Sequence, residues 1–277
     1  MRRNIVFSTL VVTGAAALAV IGMSAPASAG SNGAKTAFMY NSIPSPLKGN
    51  MASVGFQATQ TSEFGDAITF SPTANHKLAS VTVTLSSWGC QSGTWTGGDC
   101  MTTPGATFTE PITVNIYNAA GTTQLATQTQ TFAIPFRPSA NPAKCGPGGQ
   151  WWDNSLKSCF NGLATTVTLT FPGVDLGTNS IVYGIAYPTS GYGLGAYGYG
   201  TACAATTAGC GYDSLNVAIE GVISIGSETT PGLLWMNSAT AANYCDGGTT
   251  GTFRQDSPGF PGCWDGYVPA VQFKATS

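Results

Sequence analysis

Eight cysteines fall in four close pairs, Cys90/Cys100, Cys145/Cys159, Cys203/Cys210 and Cys245/Cys263, each bracketing an irregular, Gly-rich segment. Thiols at such spacing either oxidise to local disulfides or hold a metal. A zinc site needs Cys and His at ligand spacing, and the chain has no Cys-x-x-Cys and a single histidine, His76. Sequential disulfides are therefore expected, each worth roughly 2–3 kcal/mol through the entropy of the unfolded chain. A chain this long builds a core without staples. Staples placed in loops point to loop rigidity, either to limit the entropy lost on binding or to resist proteolysis.

Large aromatics stand beside the same pairs. Trp95 lies in the first bracket, Trp151 and Trp152 in the second, and Trp264 immediately after the fourth, while Tyr192, Tyr197 and Tyr199 alternate with glycines ahead of the third. Tyr and Trp offer a flat face with a polar handle, and the C–H faces of sugar rings stack on such platforms. These seven residues form the candidate ligand-binding set. A polysaccharide such as chitin or cellulose, or another cell-surface component, is the expected partner. A Trp beside a disulfide can equally pack on it and fill a small core under the loop.

Acidic residues gather in the same loops: Asp99, Asp153, Asp213, Asp246, Asp256 and Asp265, with Glu110 nearby. Several neighbour Gly, Asn or Cys, where Asp ordinarily serves turns. No cofactor is expected. The one metal that converging carboxylates suggest is calcium, which takes about six to eight oxygens, but no EF-hand spacing is present.

Enzyme signals are few. A Ser–His–Asp or Cys–His site would have to use His76, and neither G-x-S-x-G nor H-E-x-x-H occurs. A jelly-roll glycosidase would need two carboxylates. Glu110 and Glu220 are the pair that strand parity leaves open, although Glu110 also precedes Pro111 at the start of a strand.

The elements that must position these residues are strands. Ala79, Val81, Val83 and Leu85 alternate with Ser and Thr, as do Ile112/Val114/Ile116, Val167/Leu169/Phe171 and Leu215/Val217/Ile219. A period of two puts one face in a core and the other toward water, and Thr suits the wet face of a pleat. Ile181–Tyr187 is apolar on both parities and is placed centrally. Pro269 lies inside the candidate strand Tyr267–Phe273 and places it at an edge. The alternation of Val54, Phe56 and Ala58 extends the same pattern before Asn75. About eleven strands with turn-rich connections predict an all-β, two-sheet antiparallel sandwich of jelly-roll type.

If successive strands alternate in direction, all four cysteine brackets fall at one end and the short turns, with His76, at the other. That end would be a disulfide-stapled, aromatic surface.

The stretches Phe38-Met39-Tyr40-Asn41-Ser42-Ile43-Pro44, Ser62-Glu63-Phe64-Gly65-Asp66, Leu85-Ser86-Ser87-Trp88-Gly89-Cys90 and Tyr183-Gly184-Ile185-Ala186-Tyr187 resemble those of uncharacterised secreted β-sandwich proteins of actinobacteria. The resemblance covers most of the chain after the N-terminal segment. It implies secretion and a β-sandwich and brings no activity or catalytic residue.

The N-terminus reads as an export signal. Arg2 and Arg3 precede an apolar run from Ile5 to Met23, and Ala27-Ser28-Ala29 matches an A-x-A cleavage site. Residues 1–29 are therefore read as a secretory signal peptide and 30–277 as a single β-sandwich domain, secreted and extracellular, with no membrane span after cleavage. Loss of the two arginines leaves 8 basic against 12 acidic residues, a net charge near −4. That excludes binding driven by phosphate contacts to nucleic acid or by attraction to anionic lipid. The leading function is a non-catalytic binding protein for a polysaccharide or surface partner. The alternatives are an envelope or matrix protein that self-associates through its Gly/Tyr loops, and a glycoside hydrolase.

Overall fold

Alternating Val, Ile and Thr residues build two antiparallel sheets in the computed structural model, which describes residues 37–59, 61–95, 97–187, 215–256 and 264–276. Fifteen strands occur among the described residues, several of them only two to four residues long. The first sheet is organised on β4 (Lys77–Ser87). β9 (Leu163–Asp175) covers one edge along its whole length. The other edge is shared end to end by β15 (Val271–Ala275) and β11 (Leu215–Ala218), which carry β1 (Ala37–Asn41) and β2 (Ser53–Gly55) outside them.

The second sheet runs β14 (Arg254–Gln255), β13 (Trp235–Ser238), β3 (Thr61–Thr69), β10 (Ser180–Ala186), β5 (Thr107–Asn118) and β6 (Gln124–Pro135). β12 (Ser227–Glu228) shares the β13 edge of β3. A short hairpin, β7 (Trp151–Asp153) and β8 (Ser158–Phe160), stands apart.

The period of two decides which residues meet between the sheets. Val81, Val83 and Leu85 of β4 and Ile112, Val114 and Ile116 of β5 are fully buried, and all belong to one core with Leu169, Ile185 and Phe273. Each such side chain contributes about 1.5–3 kcal/mol on leaving water. Thr166, Thr168 and Thr170 of β9 face outward, and the hydroxyls of Thr82 and Thr168 pair across strands at 2.9 Å.

Register shows which ends coincide. In the first sheet Ser87, Leu215 and Gly55 share one end. In the second, Thr61, Ala186, Thr107 and Pro135 do. The two ends meet where Arg137 N–H donates to Gly89 C=O at 2.9 Å. Both observed disulfides, Cys90–Cys100 and Cys145–Cys159, follow strands that finish there. Their segments pack on each other, with Ala140 N–H donating to Cys100 C=O and Thr102 N–H to Ser139 Oγ. His76 lies at the opposite end, its ring nitrogen paired with Asn179 in the turn between β9 and β10.

One expectation is met in part and two are revised. Two of the four disulfides are seen. Cys245 is also disulfide-bonded, but Cys203, Cys210 and Cys263 lie outside the described residues. The final strand is not at an edge, because β15 lies between β1 and β4. Pro269 precedes its first ladder residue, so no ladder donor is lost, and the Pro269 carbonyl accepts the Ser42 hydroxyl at 2.7 Å. The alternation at Val54, Phe56 and Ala58 breaks after Gly55. Residues Phe56–Thr59 form one helical turn, α1, whose Phe56 ring stacks on Tyr187 at 4.1 Å with planes 8° apart.

Candidate functional site

Trp264 and Tyr267 form one wall of a groove at the stapled end. The sequence Trp264-Asp265-Gly266-Tyr267 closes a turn in which Tyr267 N–H donates to Trp264 C=O at 3.0 Å. Gly266 has φ +78° at its third position, the pattern of a type II turn, which needs a residue free to take positive φ there. The turn sets the two rings edge to face, 6.2 Å apart and 78° between planes. Trp264 also leans on the buried ring of Phe64 at 5.8 Å.

A buried carboxylate fixes this wall from behind. Asp256 is 1% exposed. Its Oδ2 accepts the Trp264 indole N–H at 3.2 Å and the Cys245 N–H at 3.0 Å, while Oδ1 accepts the Asp246 N–H at 3.4 Å. One side chain therefore ties the tryptophan to the loop that carries the oxidised Cys245. In the same loop Arg254 pairs bidentately with Asp246 at 2.8 Å and lies over the Tyr244 ring at 4.1 Å. The neighbouring carboxylate lifts the Arg254 guanidinium further above its ordinary range.

The opposite wall comes from β2, α1 and the segment after β11, where Thr59 and the outer edges of the core residues Val54 and Ile219 line it and Asn243 closes it. The groove has a volume of ≈ 310 Å³, and no charged side chain lines it among the described residues. Asn243 is oriented by its amide nitrogen, which donates to Ser238 Oγ at 2.9 Å and to Thr59 C=O and Thr61 Oγ1 at 3.3 Å. With the nitrogen so committed, Oδ1 is the acceptor left over, and it takes no hydrogen bond from the described residues.

The expected ligand-binding residues do not all converge here. Trp264 lies in the groove, where Tyr267 and Asn243 join it. Trp151 is 5% exposed, donates its indole N–H to Gly162 C=O at 2.7 Å and packs at 5.5 Å on Phe160, its cross-strand partner in the β7–β8 hairpin. Trp152 is half-buried, with the Lys144 ammonium 4.9 Å from its ring centre. Trp95 stands edge-on against Trp88 at 4.7 Å within the first bracket. Tyr192, Tyr197 and Tyr199 lie outside the described residues. Tyr267 was legible in principle, since Trp-Asp-Gly-Tyr is a turn signature with an aromatic at each end.

The acidic residues divide into turn builders and buried groups. Asp99 caps Thr94 N–H at 2.9 Å. Asp153 accepts from Ser155 and Leu156, which holds its carboxyl below the usual range. Asp213 lies outside the described residues. No group of three or more Asp, Glu, His or Cys side chains converges as a metal site among the described residues.

Glu110 and Glu220 share no groove. Glu110 is fully buried, and neither of its carboxylate oxygens has a hydrogen-bond partner. Burial pushes its pKa up to about 8. Glu220 is half-buried and pairs with Lys48 at 3.1 Å.

Burial also raises the carboxyls of three further acids, Glu63, Asp66 and Glu228. Glu63, on the outer face of β3, is held up by burial although Asn115 Nδ2 and the Tyr117 hydroxyl donate to its Oε1 at 2.8 and 3.0 Å. Asp66 lies on the core face of the same strand, directly opposite Tyr183, and is raised by burial and then by the negative charge of Glu228.

Comparison with family models, with curated proteins and with solved structures returns no match.

Proposed function

We propose that the protein is a secreted, non-catalytic β-sandwich of jelly-roll type that binds a polysaccharide through its disulfide-stapled end. The observation that carries this reading is the groove in which Trp264, pinned by Asp256, stands edge-on to Tyr267 above an uncharged lining. A fixed aromatic wall costs little conformational entropy when a sugar ring stacks on it. The oxidised cysteines favour an extracellular setting, as does the N-terminal signal-like segment. The two acids that a hydrolase would need lie apart, one in the core and one in a surface ion pair, which favours binding over cleavage.

A glycan array combined with pull-down on insoluble chitin, cellulose and cell wall tests the reading. Binding that falls at least tenfold in Trp264→Ala and in Tyr267→Ala is expected. No binding to any glycan, or binding unchanged in both variants, refutes it.

A further inference from the structure

We infer that the groove takes an uncharged sugar ring bearing an acetamido group, the chemistry shared by chitin and by the glycan strands of bacterial cell wall. The inference rests on the polysaccharide reading above and narrows it.

Three features of the groove select the ligand. Size is the first. At ≈ 310 Å³ the groove stands at the lower limit of small-molecule sites, which span roughly 300–1,000 Å³, so it engages about one ring of a chain rather than a long segment.

Charge is the second. An anionic sugar buried against these walls would find no cation to offset its desolvation. The charges joined directly to lining residues, through the chain or a hydrogen bond, are acidic: Asp265 inside the Trp264–Tyr267 turn, Glu220 next to Ile219, and Asp256 on the indole N–H. Lys48 is already engaged with Glu220. Uronates and sulfated sugars are therefore rejected.

Polarity is the third. The Trp264 N–H is consumed by Asp256, so the indole presents only carbon to the groove. The Asn243 amide nitrogen is consumed by three protein acceptors, leaving a carbonyl oxygen. An acceptor in the same groove as the carbon face of Trp264 matches an N-acetyl group, which brings one N–H donor and one methyl together. A plain hydroxyl satisfies the acceptor but brings no methyl to the carbon face of the indole.

The test uses the full secreted chain and titration calorimetry with four trisaccharides: chitotriose, its fully deacetylated form, cellotriose and trigalacturonate. Chitotriose is expected to bind at least tenfold more tightly than cellotriose or the deacetylated trimer, with no heat from trigalacturonate. Asn243→Ala should bring the chitotriose-to-cellotriose ratio toward one, with an unchanged near-ultraviolet circular dichroism spectrum showing that the variant is folded. The ligand series on the unmodified protein decides the matter even if that variant fails to fold.

Equal binding of chitotriose and cellotriose overturns the acetamido assignment while the polysaccharide reading stands. Tighter binding of trigalacturonate overturns it as well. Absence of binding to all four and to the glycan array overturns both. Pull-down on chitin against purified cell-wall sacculi then separates the two sources, and retention on either one supports the shared chemistry.

Discussion

Glu110 gives the sharpest quantitative test of the fold. Its position on β5 follows from strand parity: it shares the core face with Ile112, Val114 and Ile116 and lies opposite Phe132 of β6. The side chain is fully buried and neither oxygen is hydrogen-bonded, so the carboxyl stays protonated until about pH 8, against an ordinary 4.5. Ionising it inside the fold therefore costs roughly 5 kcal/mol more than ionising it in the unfolded chain, at about 1.36 kcal/mol per pKa unit.

The sign follows from linkage. Below about pH 4.5 the group is neutral in both states and no penalty applies. Between 4.5 and 8 the unfolded chain loses the proton while the folded chain keeps it, so stability falls as pH rises, and the loss is complete once the folded pKa has been passed.

Glu110→Gln keeps the shape and removes the titration. Guanidinium unfolding followed by tryptophan fluorescence, at pH values from 4 to 9, measures the difference between the two proteins. At pH 4 the two should be similar in stability. By pH 9 the Gln variant should be more stable by several kcal/mol, a large share of the total of about 5–15 kcal/mol that domains possess. Glu63, Asp66 and Glu228 are also raised by burial, but both proteins carry them, so they cancel in the difference. A stability difference that stays constant across this range refutes the burial argument.

The other predictions concern the groove and its supports. Asp256→Ala removes the acceptor of three N–H donors and should cost about 2–3 kcal/mol, with a changed Trp264 near-ultraviolet signal and weakened glycan binding. Gly184→Ala places a Cβ 2.1 Å from Glu63 Oε1. The carboxylate must leave Asn115 and Tyr117, for a loss of about 1–3 kcal/mol in denaturant unfolding. The double variant Cys90→Ser/Cys100→Ser opens a disulfide of sequence separation 10 and should lose roughly 3 kcal/mol. It should leave binding in the groove unchanged, because no residue of that bracket lines it.

Much of this architecture is local information. The alternation in Val81–Leu85 and Val167–Phe171 specifies which side chains are buried because the strand period leaves no other choice, and the run Ile181–Ile185 does occupy the middle of its sheet, between β3 and β5. The end-of-sandwich position of the first two staples follows from the same directions. Pro269 misled because proline's missing N–H matters only within a ladder, and the ladder begins two residues later, at Val271. The helical turn at Phe56–Thr59 was hidden for a related reason. Three apolar residues at alternate positions look like a strand, yet Phe56 turns inward to stack on Tyr187, more than a hundred residues away.

The tryptophans show where local reading stops. Trp151 and Trp264 are equivalent in sequence terms, each an aromatic near a cysteine in a Gly-rich loop. Their roles diverge through the partner of one N–H. The Trp151 indole donates to the Gly162 carbonyl and the ring sinks beneath the loop. The Trp264 indole donates to Asp256, a side chain held at the back of a groove, which leaves part of the ring facing out. Asn243 is less legible still, because its orientation is decided by Thr59 and Thr61, at sequence separations above 180. In the proposed reading, the property that gives this end its binding chemistry is thus the assignment of donors to acceptors across the fold. An uncommitted carbonyl oxygen and a carbon-faced indole exist only because distant residues have consumed their N–H partners. A substitution at Thr61 or Asp256, neither of which lines the groove, should therefore alter ligand preference as well as stability.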